Sequence, residues 1–168
     1  MNRILASFAL VCAVSTCFAL RVRVDYDHGR DFSRYKNYRW VRVPDAQLPD
    51  QLMQTRIERF VEEALAAKGL KRVEKGGDLL VGYQTMVSEQ QQFVTFGDGG
   101  WGWGNGISTT TTQTIMTGTL IVDIVDAQHN KLVFRGVSTA TVSSRPEKNT
   151  RSFQKGIREM FEKYPPRS

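Results

Sequence analysis

Acidic residues recur at alternate positions near the start of the chain, in a pattern that resembles a cation-binding loop. Asp25, Asp27 and Asp31 are interleaved with Gly29 as Asp-x-Asp-x-Gly-x-Asp. A calcium loop of the EF-hand kind needs an oxygen ligand at its fifth position and a bidentate glutamate at its twelfth. Here the fifth position is a glycine and the twelfth is Lys36. We therefore expect a turn at this place and no metal site.

A glycine-rich motif, Gly97-Asp-Gly-Gly-Trp-Gly102, matches the G-x-G-x-x-G pattern of dinucleotide-binding turns by letter. Such a turn must open a helix, because the amides of the helix N-terminus hold the pyrophosphate. Glycine and threonine dominate the residues that follow, through position 112, and such a composition does not start a stable helix. The sequence therefore predicts no bound cofactor.

Histidine and cysteine give no catalytic arrangement either. His28 and His129 both fall in predicted turns without a neighbouring nucleophile or ligand, and a lone histidine in a loop is usually a solvated polar residue. Cys12 and Cys17 lie within the first twenty residues. This position excludes a disulfide scaffold or a cysteine zinc site in the rest of the chain. We expect a protein that is not an enzyme.

The first nineteen residues have the composition of an export signal. Arg3 supplies a positive charge, and residues 4–20 form an uncharged stretch that ends at Arg21. A membrane-spanning helix needs about 20 strongly apolar residues, whereas this stretch is shorter and contains serine and threonine. We expect residues 1–19 to be a signal peptide that is cut after Ala19, and residues 20–168 to be the exported domain.

A second processing route also fits the leader. Val14-Ser-Thr-Cys17 resembles the bacterial lipoprotein box, in which a small residue precedes a cysteine that becomes diacylated. Thr16 is bulkier than the residue usually found there. The protein is therefore expected to be either free in the periplasm or medium, or held on a membrane by acyl chains on Cys17.

The net charge of the chain and its distribution indicate which classes of partner to expect. The 168 residues carry 23 Lys and Arg against 17 Asp and Glu, a net charge of +6. These basic residues are scattered over many segments, so we expect no nucleic-acid partner for an exported chain. An envelope component is expected instead: a glycan, an anionic lipid surface or another envelope protein.

The strands and helices that must position these residues can be predicted from the spacing of apolar residues. Strands are predicted over residues 22–26, 37–43, 78–87, 114–125 and 131–142. One helix is expected to follow Pro49 and close at Gly69, and a second to begin at a cap formed by Asn149 or Thr150. Strand runs with two separated helices predict a single α+β domain, with a mainly antiparallel sheet and both helices on one face.

A long hairpin loop rich in glycine and tryptophan is predicted between the third and fourth of these strands. Residues 97–106 contain six glycines, together with Trp101 and Trp103. The indole rings either fold back onto the sheet or present a flat amphipathic surface to sugars or lipid head groups. Trp101 and Trp103 are therefore the candidate binding residues, and both interpretations stay open.

Seven segments together resemble a known bacterial family. They are Val22-Arg-Val-Asp-Tyr-Asp27, Asp31-Phe-Ser-Arg-Tyr-Lys-Asn-Tyr-Arg-Trp40, Ala66-Ala-Lys-Gly-Leu70, Asp78-Leu-Leu-Val-Gly-Tyr83, Gly118-Thr-Leu-Ile-Val-Asp-Ile-Val-Asp126, Lys131-Leu-Val-Phe-Arg-Gly136 and Pro165-Pro166. Their combination is similar to the family catalogued as domain of unknown function 4136, over about residues 22–166. Its members are mostly predicted envelope lipoproteins, and Thr16 departs from their usual lipoprotein box. The resemblance implies export and one small α+β domain, and it supplies no activity or site residues.

Two functions of different class follow from these observations. The first is an exported cell-envelope protein that acts as a structural or binding module. The alternative is an enzyme that acts on envelope glycan polymers through paired carboxylates, with Asp25, Asp27, Asp123 and Asp126 as the candidates. Glycoside hydrolysis needs two carboxyl groups about 5 to 9.5 Å apart, so their placement in the fold discriminates between the two.

Overall fold

The computed structural model describes residues 20–97 and 108–164. The elements are β1 (Arg21–Tyr26), a 3-10 turn (Phe32–Arg34), β2 (Asn37–Trp40), α1 (Gln51–Ala67), β3 (Lys71–Arg72), β4 (Leu79–Gly97), β5 (Ser108–Asp126), β6 (Lys131–Thr141) and α2 (Pro146–Glu162). The strands form one six-stranded sheet in the order β1-β6-β5-β4-β2-β3. The predicted single α+β domain is confirmed.

Most of the sheet is antiparallel. β1, β6, β5 and β4 pair antiparallel in that order, whereas β2 runs parallel to both β4 and β3. A parallel pair needs a crossover connection, and α1 provides it between β2 and the two strands that follow the helix. None of the helices in the described part of the chain is long and apolar enough to cross a membrane.

The ends of α1 agree with the sequence prediction. Asp50 caps the first turn, since its carboxylate accepts a hydrogen bond from the Met53 N–H at 3.0 Å. At the other end Gly69 has a φ of +83° and the Leu70 N–H bonds the Leu65 carbonyl at 3.1 Å. A glycine in the left-handed region with this reverse bond is the Schellman ending.

The start of α2 differs from the prediction. The helix begins at Pro146, and its N-cap residue Arg145 makes no side-chain cap bond. The ring of proline fixes a helical φ, which starts the helix before Asn149 or Thr150. Asn149 instead pairs with the backbone of Ser143, accepting from its N–H and donating to its carbonyl, both at 2.8 Å.

Both helices cover the same face of the sheet. Their buried side chains join those of the central strands in one core; the largest fully buried members are Tyr38, Ile57, Val61, Leu65, Leu79, Val81, Leu120, Ile124, Phe134, Ile157, Met160 and Phe161. Two glycines allow α2 to lie directly on β6. A Cβ atom at Gly136 would lie 2.7 Å from the Met160 Sδ, and one at Gly156 would overlap the Ser138 side chain.

β4 and β5 are longer than predicted. Each has 19 residues and they pair along their whole length, from Leu79↔Asp126 to Gly97↔Ser108. The β6 ladder with β5 ends at Thr117, followed by one bond from Val142 to Met116. Residues 89–97 and 108–116 therefore form a two-stranded ribbon of nine residue pairs that projects about 30 Å beyond the sheet. This ribbon is called the arm below.

Candidate functional site

Asp126, the last residue of β5, makes more polar contacts than any other side chain in the described residues. It is only 4 % exposed, and both carboxylate oxygens accept several hydrogen bonds. Oδ1 accepts from the backbone N–H groups of Gln128 and His129 at 2.9 Å and contacts the His129 Nδ1 at 3.0 Å. Oδ2 accepts from the Tyr35 hydroxyl at 2.9 Å and from the Arg30 Nη1 at 3.4 Å.

These contacts keep the Asp126 carboxylate ionised. Burial acts to raise its pKa, but hydrogen bonds from the His129 backbone and ring, and from Tyr35, outweigh burial and hold the pKa below its usual value. Burial and the neighbouring carboxylate raise the pKa of Tyr35 to about 12. A carboxyl group that acts as a general acid near neutral pH needs a raised pKa. The environment of Asp126 shifts it in the opposite direction.

Asp27 lies beside this network. Its carboxylate makes ion pairs with Lys131 at 3.0 Å and with the Arg30 Nε at 3.4 Å, and it accepts the Gly29 N–H at 3.0 Å. The hydrogen bond from Lys131 and then that from Gly29 lower the pKa of Asp27. Because Arg30 also bonds Asp126, this one guanidinium connects the two carboxylates.

Asp25 and Asp123 form a second, separate pair. Both are Cα partners of Arg135, from β1 and β5 on either side of β6. Asp123 holds Arg135 in a bidentate ion pair, with N···O distances of 2.6 and 2.7 Å. The four candidate carboxylates thus divide into two pairs, each with an arginine between its members.

The predicted turn at Asp31 is confirmed. Its carboxylate accepts the Ser33 N–H at 3.0 Å and the Ser33 hydroxyl at 2.6 Å, and it caps the 3-10 turn. Nowhere in residues 20–97 and 108–164 do three or more potential metal ligands come together.

Of the two histidines, His129 has a partner that the sequence analysis missed. Its contact with Asp126 spans three residues of the β5–β6 turn, a spacing at which an acidic residue and a histidine can meet. His28 is exposed and its ring lies 4.2 Å from that of Tyr26.

A cleft of about 660 Å³ opens beside Asp126, at the end of the sheet where β4 begins and β5 ends. Arg34, Arg39 and Lys75 line it together with Asp78. The Asp78 carboxylate accepts the backbone N–H groups of Lys36 and Asn37 at 2.8 and 3.1 Å, and so ties the start of β4 to that of β2. This region is called the polar cleft.

An apolar groove lies at the opposite end of the sheet, where the arm leaves the domain. It has a volume of about 280 Å³ and lies between the N-terminal ends of the two helices, lined by Leu48, Met53 and Phe153 among others. Apolar side chains continue from it along one face of the hairpin: Val87 is 59 % exposed and Phe93 is 72 % exposed. Neither long edge of the arm pairs with a further strand in the described residues.

The remaining candidate residues lie outside the described part of the chain. Trp101 and Trp103 belong to residues 98–107, and Cys17 belongs to residues 1–19. The predicted binding and lipidation roles of these residues therefore stay predictions. The structure does describe the strands that flank residues 98–107, which pair up to Gly97↔Ser108.

Comparison with protein families decides the classification. The model of the domain of unknown function DUF4136 matches residues 22–166. The chain belongs to this family. In this DUF4136 domain two acidic residues of the matching motifs, Asp78 and Asp126, hold strand ends and turns together. A search of curated proteins finds no significant match.

Solved structures show the same fold in other bacterial proteins. A PDZ domain protein from Parabacteroides distasonis is 15% identical with a TM-score of 0.53; the match covers 90% of this chain and 36% of that protein, so this chain spans about a third of its length. PelC from Paraburkholderia phytofirmans, crystallised as a dodecamer, is 11% identical with a TM-score of 0.54, over 89% of this chain and 100% of PelC. At these identities the DUF4136 domain shares the fold alone with them.

Proposed function

We propose that this DUF4136 protein is an exported cell-envelope module that acts by binding rather than by catalysis, and that the arm is its contact element. The observation that carries the proposal is the arm itself: nine residue pairs that extend past the last strand and helix of the domain. A two-stranded ribbon is marginally stable in water when nothing packs on it. Contact with a partner would stabilise it.

The exposed apolar side chains of the hairpin support this role. Val87, Phe93 and Met116 lie on one face by strand alternation, and they are 59 %, 72 % and 47 % exposed. Large apolar side chains grouped on one exposed face commonly mark an interaction surface. Trp101 and Trp103 follow β4 directly in the sequence and would add indole rings suited to sugar faces or lipid head groups.

The hydrogen bonds and ion pairs of the carboxylates, rather than their spacing, favour binding over hydrolysis. Asp27 and Asp126 have lowered pKa values, and Asp123 is held by both of its oxygens on Arg135. Glycoside hydrolysis needs a general acid with a raised pKa. Release of reducing ends from envelope glycans by the purified protein would contradict this part of the proposal.

Excision of the arm tests the proposal. Ser88 and Thr117 are directly opposed, so replacing residues 89–116 by Asn-Gly joins them with a two-residue hairpin turn of the favoured type. The intact protein should sediment with peptidoglycan or with vesicles of anionic phospholipid, and the shortened protein should stay in the supernatant while still unfolding in one cooperative thermal transition.

Two further variants localise the contact. Replacing Trp101 and Trp103 together by alanine should reduce sedimentation, whereas Leu132→Ala removes an exposed apolar side chain on β6 and should leave sedimentation unchanged. If the shortened protein sediments as well as the intact one, or if the intact protein binds neither material, the arm is not the contact element.

A second candidate partner is another copy of the chain. The shared fold with PelC, which crystallises as a dodecamer, supports it. Sedimentation velocity of the intact and shortened proteins measures this directly: self-assembly through the arm predicts an oligomer that becomes a monomer on excision. Monomers in both cases over the micromolar range would remove this candidate.

A further inference from the structure

We infer that the polar cleft is a second binding site, one that takes an oxyanion group, a carboxylate or a phosphate, of an envelope ligand. It lies where β4 begins and β5 ends, whereas the arm lies at the other ends of the same two strands. The inference is therefore independent of the contact role proposed for the arm, and it takes only the expectation of export from the proposed function.

Three cationic side chains, Arg34, Arg39 and Lys75, line the cleft. Arg34, Arg39 and Lys75 form no hydrogen bond or ion pair with another side chain in the described residues. Arg39 follows Tyr38, which is buried under the helices, so strand alternation turns Arg39 to the face that the helices leave uncovered. Guanidinium groups bind carboxylates and phosphates through paired hydrogen bonds.

The acidic side chains of the cleft are, in contrast, already engaged. Asp126 accepts hydrogen bonds from Tyr35 and His129, and Asp78 accepts two backbone N–H groups. Glu74 pairs with Arg72 at 3.3 Å. The cleft therefore presents cations that make no direct side-chain contact, beside carboxylates whose oxygens already accept hydrogen bonds.

Two consecutive glycines, Gly76 and Gly77, form part of the same wall. Gly76 and Gly77 have φ values of +70° and +99°, a region that side chains rarely allow. A Cβ atom at Gly77 would lie 3.4 Å from the backbone nitrogen of Arg39, so this loop lies against β2. The N–H groups of both glycines donate no hydrogen bond within the described ranges. The N–H groups of a turn can bind an anion beside cationic side chains, and the glycines leave the backbone of this wall uncovered by side chains.

The volume of the polar cleft indicates a ligand larger than a single inorganic ion. About 660 Å³ is the size of sites that hold a small organic ligand, so the anion is expected to be one group of a larger molecule. For an exported protein the two sources are a phosphate-bearing envelope molecule and an acidic sugar, and the test separates them.

Amide chemical shifts of the 15N-labelled protein test the inference. Inorganic phosphate, D-glucuronate and, as the neutral probe, glucose are added separately at an ionic strength of about 0.15 M. We expect saturable shifts at Gly76 and Gly77 with phosphate, with glucuronate or with both, and none with glucose. Shifts with phosphate alone would indicate a phosphate-bearing ligand, and shifts with glucuronate alone would indicate an acidic sugar.

Matched arginine variants show whether the site is specific. Arg39→Gln should weaken binding by at least about fivefold, since it removes a charge-assisted hydrogen-bonding partner. Arg23→Gln removes an exposed arginine of β1 that does not line the cleft and should leave binding unchanged. Equal weakening by both variants, no saturable shift with either anion, or the same shifts with glucose would each overturn the inference.

Discussion

Asp126 joins segments that are far apart in the sequence. Its carboxylate contacts Tyr35 and Arg30, which are 91 and 96 residues away, and it also closes the β5–β6 turn through His129. A buried carboxylate is tolerated only when hydrogen bonds replace the water it has lost. The same side chain therefore fixes the end of the central strand and one wall of the polar cleft.

Replacing this carboxylate should lower stability in a pH-dependent way. The folded-state pKa of Asp126 is lowered, so its contribution is present above the unfolded value of about 3.9 and is lost as pH falls below it. Asp126→Asn should reduce the free energy of unfolding by about 1–3 kcal/mol at pH 7. The difference from the parent should shrink below about pH 4.

Urea unfolding at pH 7 and pH 3 measures this difference. The exposed Asp45→Asn provides the matched control, which should change stability little at either pH. A deficit for Asp126→Asn that is as large at pH 3 as at pH 7 would show that the charge of the carboxylate is not what stabilises the fold.

Only part of this network could be predicted from the sequence. Asp126 stands at the end of an apolar strand pattern, a position at which an acidic side chain can close the turn that follows. Its contacts with Tyr35 and Arg30 depend on which strands become neighbours, and no local pattern carries that information. The contact with His129 could have been predicted, because the two residues are three positions apart within one turn.

At the scale of the elements, α2 and β6 are held unusually close. Gly156 of α2 faces Ser138 of β6, and Gly136 of β6 faces Met160 of α2. The two glycines thus leave room on each element for a side chain of the other. Glycine destabilises both helices and strands, so close packing is the physical reason for its presence here.

Adding a methyl group at this contact should destabilise the protein. Gly156→Ala improves helix propensity by about 1 kcal/mol, but its Cβ would lie 2.8 Å from the Ser138 Cβ. Overpacking of this kind costs about 1–3 kcal/mol, and we expect a lower melting temperature. Ser138→Gly combined with Gly156→Ala should recover part of the loss, whereas the exposed Gln154→Ala should have little effect. A Gly156→Ala protein as stable as the parent would refute the packing argument.

A comparison of α1 with the arm shows why some elements are easier to predict from the sequence than others. α1 carries a side-chain cap and a glycine ending, Asp50 and Gly69, that act within one turn. Glutamine and threonine runs interrupt the apolar alternation of the arm, and a few apolar residues such as Phe93 and Met116 do not restore it, so the sequence prediction ends both strands too early. The two strands of the arm pair because they continue the β4–β5 ladder. This pairing depends on contacts between distant parts of the sequence, which local strand propensity does not report.

The whole molecule has two chemically different ends. The polar cleft occupies the end at which β5 finishes, and the apolar groove and the arm occupy the other. One sheet carries both, because β4 and β5 run the full distance between them. The two proposed contact regions are thus separated by the length of these strands, as expected of a module that connects two envelope components.

Fractionation of bacterial cells tests the central claim most directly. The intact chain and the chain with residues 89–116 replaced by Asn-Gly are each expressed with Cys17→Ser, so that no lipid anchor can retain either protein. Both should leave the cytoplasm, and only the intact chain should remain with the envelope fraction after osmotic release. Equal retention of the two proteins, or full-length protein in the cytosol with residues 1–19 still attached, would contradict the account.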